Sequence, residues 1–288
     1  MYIYIYIFAI YKYIYFKYIY YMPNIQLNKF NMAELKDDKV VVFIGKRETG
    51  KSFLVRDLLY HHQDIPVGTV ISGTEGANSF YASMMPPIFI HNEFNPCIVA
   101  NYLRRQKKVV KATHDEGNNV DPRAFFILDD CLYDQTWVKD KAIRSMFMNG
   151  RHYKSLFLIT MQYALGIPPN LRTNIDYVFL LRENINSNRK RLYEQYAGMF
   201  GSFEIFSQVM DQCTENFECI VINNNAKSNK LEDQVFWYKA DAHEDFKIGH
   251  PSFWKFHNDN FNPEYEESDD FSNKKNKKIV VNVKKLRN

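Results

Sequence analysis

From Lys39 onward, runs of apolar residues alternate with stretches in which apolar positions recur at helical spacing. The apolar runs are continuous, as in strands that are buried on both faces of a sheet. Strands are predicted at 40–44, 67–72, 124–128, 156–160 and 177–181, with edge strands at 219–222 and 235–238. Helices are predicted at 51–61, 95–113 and 138–149. This alternation indicates an α/β fold, with a mainly parallel central sheet flanked by helices.

The first predicted strand leads directly into a glycine-containing loop and then into a helix. The loop consists of Gly45, Lys46, Arg47, Glu48, Thr49, Gly50, Lys51 and Ser52. This is the P-loop, or Walker A, pattern, in which backbone N–H groups surround phosphate oxygens at the positive end of a helix. We therefore expect the loop to bind ATP, with Lys51 at the β- and γ-phosphates and Ser52 as a ligand of Mg²⁺. A purely structural glycine turn is the alternative.

The predicted strand at 124–128 ends in two adjacent carboxylates, Asp129 and Asp130. An apolar strand that ends in this way has the Walker B pattern. The pattern predicts Asp129 in the coordination shell of Mg²⁺ and Asp130 as the general base that activates water. Paired acids also occur in ordinary turns at strand ends, and many related ATPases carry Glu in the second position.

The predicted strand at 156–160 continues into Met161 and Gln162. In ATPases with an additional strand, this strand lies between the two Walker strands and carries a polar residue to the γ-phosphate. We expect Gln162 to orient the attacking water there. The alternative is a glutamine that only caps the strand end.

Charge that develops on a transferred phosphoryl group is commonly stabilised by an arginine from a neighbouring subunit. Arg151 precedes the predicted strand at 156–160, called the sensor strand below because it leads to Gln162. Arg172 precedes the next strand, at 177–181, so both arginines are candidates for this catalytic role. Arg47 and Arg144 stay open as alternatives. A surface ion pair is the other interpretation of each arginine.

The net charge of the 288-residue chain is only +4, which is too small to indicate nucleic-acid binding by itself. Any DNA contact must therefore be local. One basic group on the helix at 95–113 suits phosphate contacts, although a solvated face or a subunit contact explains it equally well. The group consists of Arg104, Arg105, Lys107, Lys108 and Lys111. Four cysteines without Cys-x-x-Cys spacing favour a reducing compartment and argue against structural zinc.

The two ends of the chain differ in composition from the rest. Residues 1–21 are rich in Tyr and Ile but contain Lys12 and Lys17, so we expect neither stable membrane insertion nor a signal peptide. We interpret this leader as lying outside the fold, with Met22 or Met32 as the true start. Residues 263–288 are first acidic and then basic, as in a flexible charged tail. Residues 22–262 remain as one P-loop ATPase domain.

Together these motifs resemble the viral genome-packaging ATPases of the FtsK–HerA group, found in poxviruses, giant viruses and other nucleocytoplasmic large DNA viruses. The resemblance covers about Lys39 to Pro251. It rests on the P-loop, Leu128 to Cys131, Asn149 to His152, Gln162 and Pro168 to Arg172. It implies a P-loop NTPase of the additional-strand (ASCE, RecA-like) type. The implied activity is ATP hydrolysis coupled to the movement of double-stranded DNA into a capsid.

The resemblance also implies partners and a location. We expect a homo-oligomeric ring that binds double-stranded DNA and meets capsid or inner-membrane components of a virion. The expected location is the viral factory in the host cytoplasm, with the virion as a second one. Alternatives are a cellular or plasmid-type FtsK–HerA DNA pump, a small-molecule P-loop kinase, and a scaffold with a decayed nucleotide site.

Overall fold

A single sheet with helices on both faces forms the part of the chain that the computed structural model describes, which is residues 25–115, 120–131 and 135–262. The strands are β1 (Asn28–Lys29), β2 (Val40–Ile44), β3 (Gly68–Ser72), β4 (Ile90–His91), β5 (Ala124–Asp129), β6 (Ser155–Met161), β7 (Tyr177–Leu180), β8 (Glu218–Asn223) and β9 (Val235–Lys239). The α-helices in these residues are α1 (Lys51–His61), α2 (Glu75–Asn78), α3 (Pro96–Asp115), α4 (Lys141–Asn149), α5 (Pro169–Arg172), α6 (Asn186–Tyr196), α7 (Phe203–Cys213), α8 (Leu231–Gln234) and α9 (Pro251–Asn260).

The nine strands are arranged in the order β1-β9-β8-β7-β2-β6-β5-β3-β4. Strand β8 pairs antiparallel with both of its neighbours, and every other pairing in the described sheet is parallel. The predicted mainly parallel α/β sheet is therefore confirmed. Strand β6 lies between β2 and β5, which confirms an additional strand between the two strands that lead into the predicted Walker motifs.

Both faces of the sheet are covered, which explains why its strands are continuous apolar runs. Alternate residues of β2 point to opposite sides: Val42 belongs to one hydrophobic cluster and Val41 to the other. Helices α3, α4, α6 and α7 contribute to the first cluster, and α1 and α9 contribute to the second. Every residue of β2, β5 and β6 is buried, so the sheet is a rigid support for the loops at its edge.

Some predicted elements differ from the structure. Strand β8 is not at the sheet edge, because β9 and the two-residue β1 lie beyond it. Helix α4 starts later than predicted, since the Asp140 side chain caps it by accepting hydrogen bonds from Ala142 and Ile143. The pattern did not predict α6, most of whose residues are polar and which buries few side chains, among them Leu192 and Tyr196.

The predicted leader at 1–21 and the predicted charged tail at 263–288 lie outside the described residues and stay predictions. The predicted domain at 22–262 contains the single sheet described above. Across residues 25–115, 120–131 and 135–262, no helix combines the length and apolar character that crossing a membrane requires. The thiols of all four cysteines are free.

Helix α1 is attached to the sheet through the buried carboxylate of Asp57. Its Oδ2 accepts a hydrogen bond from the Tyr238 hydroxyl at 2.5 Å, and its Oδ1 lies 2.5 Å from Nε2 of His243. The ring of Tyr60 stacks on the His243 imidazole with centroids 3.7 Å apart. A carboxylate without solvent is costly unless it is hydrogen-bonded. These contacts therefore fix the position of α1 relative to β9.

We expect Tyr238→Phe to lower the free energy of unfolding by about 1.5–3 kcal/mol, the usual value of a hydrogen bond to a charged group. Urea denaturation at neutral pH measures this change. Tyr163→Phe is the matched control, because the Tyr163 ring is 44% exposed. Equal stability of the two variants would contradict the role of the Tyr238 hydroxyl.

Candidate functional site

The predicted site residues follow the carboxyl ends of three neighbouring parallel strands. Ile44 of β2 is paired with Met161 of β6, and Thr160 of β6 is paired with Asp129 of β5. Carboxyl ends of parallel strands meet at one edge of a sheet, where α/β proteins commonly bind ligands. The pairing brings the P-loop, the two aspartates and Gln162 to the same edge.

The loop between β2 and α1 requires its two glycines. A Cβ atom on Gly45 would lie 2.7 Å from both Leu181 Cβ and Thr49 Oγ1. Gly50 has a φ of 103°, in the left-handed region, and α1 begins immediately after it at Lys51. Thr49 Oγ1 donates a hydrogen bond to the Lys46 carbonyl at 2.7 Å. The loop thus curls tightly in front of the positive end of α1.

Lys51 turns its ammonium group back into this loop. Nζ donates hydrogen bonds to the carbonyls of Gly45 at 2.6 Å and Lys46 at 2.8 Å. Burial lowers the pKa of the Lys51 ammonium, and the carboxylates of Asp130 and Asp129 act in the opposite direction. The lysine is therefore a partly desolvated cation that interacts electrostatically with both aspartates. Ser52 follows it as an exposed residue in the first turn of α1.

Asp129 is buried, and both of its carboxylate oxygens accept hydrogen bonds. Thr160 Oγ1 donates to Oδ1 at 2.6 Å, and Ser72 Oγ donates to Oδ2 at 3.2 Å. Burial raises the pKa of the Asp129 carboxyl, and these two hydrogen bonds oppose the rise only in part. The carboxylate is thus held in one orientation by residues of β6 and β3.

Asp130 leaves the strand in a left-handed conformation, with a φ of 48°. Its N–H donates to Thr160 Oγ1 at 3.0 Å. Nε2 of Gln162 lies 2.7 Å and 2.6 Å from the two carboxylate oxygens of Asp130 and donates to them. Gln162 therefore lies against the predicted base, and its predicted contact with water stays a prediction.

Sequence reasoning missed Thr160 and Ser72 as members of this site. A single hydroxyl, that of Thr160, contacts both aspartates. The sequence carried a signal, because each residue is a small polar side chain that follows apolar residues at or next to the carboxyl end of a buried strand. A polar residue in that position of a buried strand needs a partner.

Sequence reasoning also missed Glu183, which lies just beyond β7. The buried Glu183 Oε1 forms an ion pair with Lys46 Nζ at 2.6 Å. Burial raises the pKa of the Glu183 carboxyl, but hydrogen bonds from Lys46, Ile185 and Asn188 outweigh it and leave the pKa below its usual value. The pair ties the P-loop to the segment that leads into α6.

A small cavity lies between this pair and the sensor strand. Gly45, Gln162, Glu183 and Arg191 are among its lining residues. The Arg191 guanidinium lies 5.3 Å from the centre of the Tyr163 ring. Arg191 is thus a cation of the same subunit near the site, and the sequence motifs did not identify it.

The two predicted catalytic arginines lie elsewhere. Arg151 is exposed in the 3-10 turn before β6, so about 20 Å of strand separates it from the carboxyl edge. The Arg172 guanidinium lies over the ring of Tyr196 at 5.7 Å and donates to the Ile167 carbonyl at 3.1 Å. Their action from a neighbouring subunit stays a prediction.

The basic group on α3 is only partly a free surface. Arg105 is half-buried and donates to the side chain of Gln106, and Lys107 lies 5.4 Å from the centre of the Tyr153 ring. Arg104, Lys107, Lys108 and Lys111 are exposed, and Arg104 also donates to Asn101 Oδ1 at 3.0 Å. The predicted DNA contact of this helix stays a prediction.

Comparison with known proteins places these observations in a family, although no family model matches the chain. The uncharacterized protein L437 of Acanthamoeba polyphaga mimivirus is 41% identical over 244 residues, which are 83% of this chain and 86% of that protein. The uncharacterized protein 075L of Invertebrate iridescent virus 6 is 38% identical over 242 residues, 83% of this chain and 92% of that protein.

A solved structure has the same fold. The genome packaging NTPase B204 of Sulfolobus turreted icosahedral virus 2, in complex with AMPPCP, superposes with a TM-score of 0.53 at 12% identity. The match covers 72% of this chain and 100% of B204. The chain therefore belongs to the family of large-DNA-virus proteins that includes L437 and 075L, and it has the P-loop NTPase fold of the viral genome-packaging, FtsK–HerA-type ATPases.

Proposed function

We propose that this protein hydrolyses ATP and uses the energy to move a double-stranded viral DNA genome into capsids. The observation that carries the proposal is the meeting, at one sheet edge, of the glycine loop with Lys51 and the Asp129–Asp130 pair. An anion-binding loop beside fixed carboxylates suits nucleotide hydrolysis. The fold shared with a genome packaging NTPase supports the packaging role.

The side chains suit a nucleotide with its metal ion. The missing Cβ of Gly45 lets the loop pack closely against Leu181, and Lys51 supplies positive charge for a phosphate bound by the loop. The hydroxyl of Ser52 and the carboxylate of Asp129 are hard oxygen donors, which Mg²⁺ prefers. Charge neutralisation at the β- and γ-phosphate oxygens is the chemistry that a bound Mg²⁺ supplies. Thr160 and Ser72 keep Asp129 oriented toward this position.

Asp130 is the proposed general base. A water oxygen forms a bond to the γ-phosphorus while the bond from that phosphorus to the bridging oxygen breaks, and the Asp130 carboxylate takes the proton of the water. ADP leaves with the bridging oxygen. Gln162 holds both carboxylate oxygens of Asp130, so it acts as a positioning residue that must yield one oxygen to the water. Lys51 moves from its loop carbonyls to the phosphates.

Packaging adds partners that lie beyond the single chain. We propose a homo-oligomeric ring around double-stranded DNA, in which Arg151 or Arg172 reaches the site of a neighbour. The ring meets capsid or inner-membrane components of the virion and works at the viral factory in the host cytoplasm, and also in the virion. A cellular or plasmid-type DNA pump shares this chemistry. A small-molecule kinase fits less well, since phosphoryl transfer to an acceptor does not need the water-activating pair.

Steady-state ATP hydrolysis, with and without long double-stranded DNA at two salt concentrations, tests the proposal. We expect DNA to raise turnover, and the stimulation to fall at the higher salt because phosphate contacts release counterions. Lys51→Ala removes the phosphate cation and abolishes turnover. Lys255→Ala, an exposed lysine on α9, is the control and keeps the wild-type rate. An ATP turnover rate that does not change with DNA, or that stays at the wild-type value in Lys51→Ala, would contradict the proposed function.

We expect Thr160→Val to lower turnover about 10- to 100-fold, the usual loss when a residue that orients a metal ligand is removed. The substitution preserves shape and removes the hydroxyl between the aspartates. A higher Mg²⁺ concentration at half-maximal rate distinguishes lost orientation from lost folding. Thr173→Val, on an exposed threonine, serves as control and changes neither quantity. A normal Mg²⁺ dependence with a lowered rate would refute the role of Thr160 in orienting Asp129 and would leave only its contact with Asp130.

Mixing two inactive variants tests the arginines. Arg151→Ala lacks the proposed donor, and Lys51→Ala lacks a working nucleotide site but keeps Arg151. We expect mixed rings to recover part of the wild-type turnover, because a Lys51→Ala subunit donates its arginine to an intact neighbouring site. The same mixture with Arg172→Ala tests the second candidate. If a mixture shows no recovery of turnover, the arginine tested in that mixture does not act in the site of a neighbouring subunit.

A further inference from the structure

Two phenylalanine side chains beside the P-loop are exposed to solvent. Phe53, in the first turn of α1, is 66% exposed, and Phe217, in the turn before β8, is 64% exposed. Isolated apolar side chains on a surface are ordinary, but two exposed aromatic rings close to one loop are less so. Neither residue has a role in the hydrolysis proposed above.

The backbone holds Phe217 in its exposed position. Asn216 and Phe217 have φ values of 50° and 65°, both in the left-handed region. The Glu218 N–H donates to the Glu215 carbonyl at 2.8 Å and closes the turn. A bulky residue rarely adopts this conformation, and residues that do so cluster at ligand sites. Burial does not compensate for the strain here, since most of the ring faces solvent.

Phe217 nevertheless lies close to the P-loop. A Cβ atom on Gly50 would lie 3.5 Å from Phe217 Cδ1, which is van der Waals contact. Strand β8 runs antiparallel to β7, so its first residue lies at the carboxyl edge of the parallel strands. Phe53 is three positions after Gly50, on the same side of the helix start. Phe217 therefore lies next to the last glycine of the loop, and Phe53 lies one helical turn beyond that glycine.

We propose that Phe217, together with Phe53, forms the stacking platform for the purine base of the bound nucleoside triphosphate. The proposal rests on the proposed function, since it needs the phosphates in the P-loop. In this proposal the phosphates are held in the loop, and the sugar and base extend over the surface beside Gly50, where Phe217 lies. Every base has an apolar π-face that stacks on aromatic side chains, and a purine offers the larger face. The platform thus gives the site affinity for the base in addition to the triphosphate.

Equilibrium binding of MgATP and of magnesium tripolyphosphate to the full chain tests the platform. Tripolyphosphate carries the phosphates but no base. We expect Phe217→Ala to weaken MgATP binding about tenfold, a typical loss for one stacking contact, and to leave tripolyphosphate binding unchanged. Phe217→Tyr keeps a ring and restores MgATP affinity. Phe256→Ala, on a 50% exposed ring of α9, is the control and changes neither affinity.

The outcomes separate the two proposals. If the wild-type chain binds neither ligand, the phosphate site and the proposed function fail. If it binds both and Phe217→Ala leaves MgATP affinity intact, the function stands and the platform is wrong. If Phe217→Ala weakens the binding of MgATP and of tripolyphosphate equally, and light scattering shows that the variant no longer self-associates, Phe217 belongs to a contact between subunits and the platform is wrong. Phe217→Gly removes the ring and adopts the left-handed conformation without strain, so a loss of MgATP affinity in that variant, at a thermal stability no lower than that of the wild type, does not reflect unfolding.

Discussion

The in-register parallel pairing of β2, β6 and β5 is the constraint on which the site depends. It places the last residues of three strands side by side, so that loops separated widely in the chain meet at one edge. Burial of all three strands on both faces prevents a shift in register, because a shift by one residue would exchange the two hydrophobic clusters. The hydroxyl of Thr160 then completes the arrangement, since it accepts the Asp130 N–H and donates to the Asp129 carboxylate. The position of Thr160 in the sheet thus determines how the two aspartates are oriented.

The charged groups at this edge, Lys51 and Asp129 among them, are partly desolvated. Burial lowers the pKa of Lys51, and the carboxylates of Asp130 and Asp129 oppose this shift. Burial raises the pKa of Asp129, and hydrogen bonds from Thr160 and Ser72 oppose that shift. Charges in such an environment interact more strongly than on a wet surface. Lys46 and Glu183 form a second pair on the other side of the loop, and Arg189 connects Glu183 to Asp211 of α7 through its guanidinium. Glu183, which precedes α6, therefore forms the ionic contact with Lys46 of the P-loop, and Arg189 of α6 holds the Glu183 backbone and pairs with Asp211 of α7.

The site residues that could be identified from the sequence are those whose role depends on residues adjacent to them in the chain. The glycine loop with Lys51, the acids after β5 and the polar end of β6 could each be predicted from a strand and the residues that follow it. Partners brought together by packing could not be predicted in this way. Glu183 gives no local signal that it pairs with Lys46, and Phe217 lies in an unremarkable turn until the backbone shows its left-handed conformation. Helix α6 was missed for a related reason, since its polar sequence carries little periodic signal and tertiary contacts determine it.

Both margins of the described sheet end in strands of only two residues, β1 and β4. A margin this short offers few unpaired backbone groups to which another chain could add a strand. Natural sheets use such margins to limit edge-to-edge aggregation, which matters when many copies of a chain are present at high local concentration. Within the described part of the chain, a contact between two copies would therefore favour side-chain surfaces over an extended sheet, and such surfaces can separate and re-form without breaking backbone hydrogen bonds.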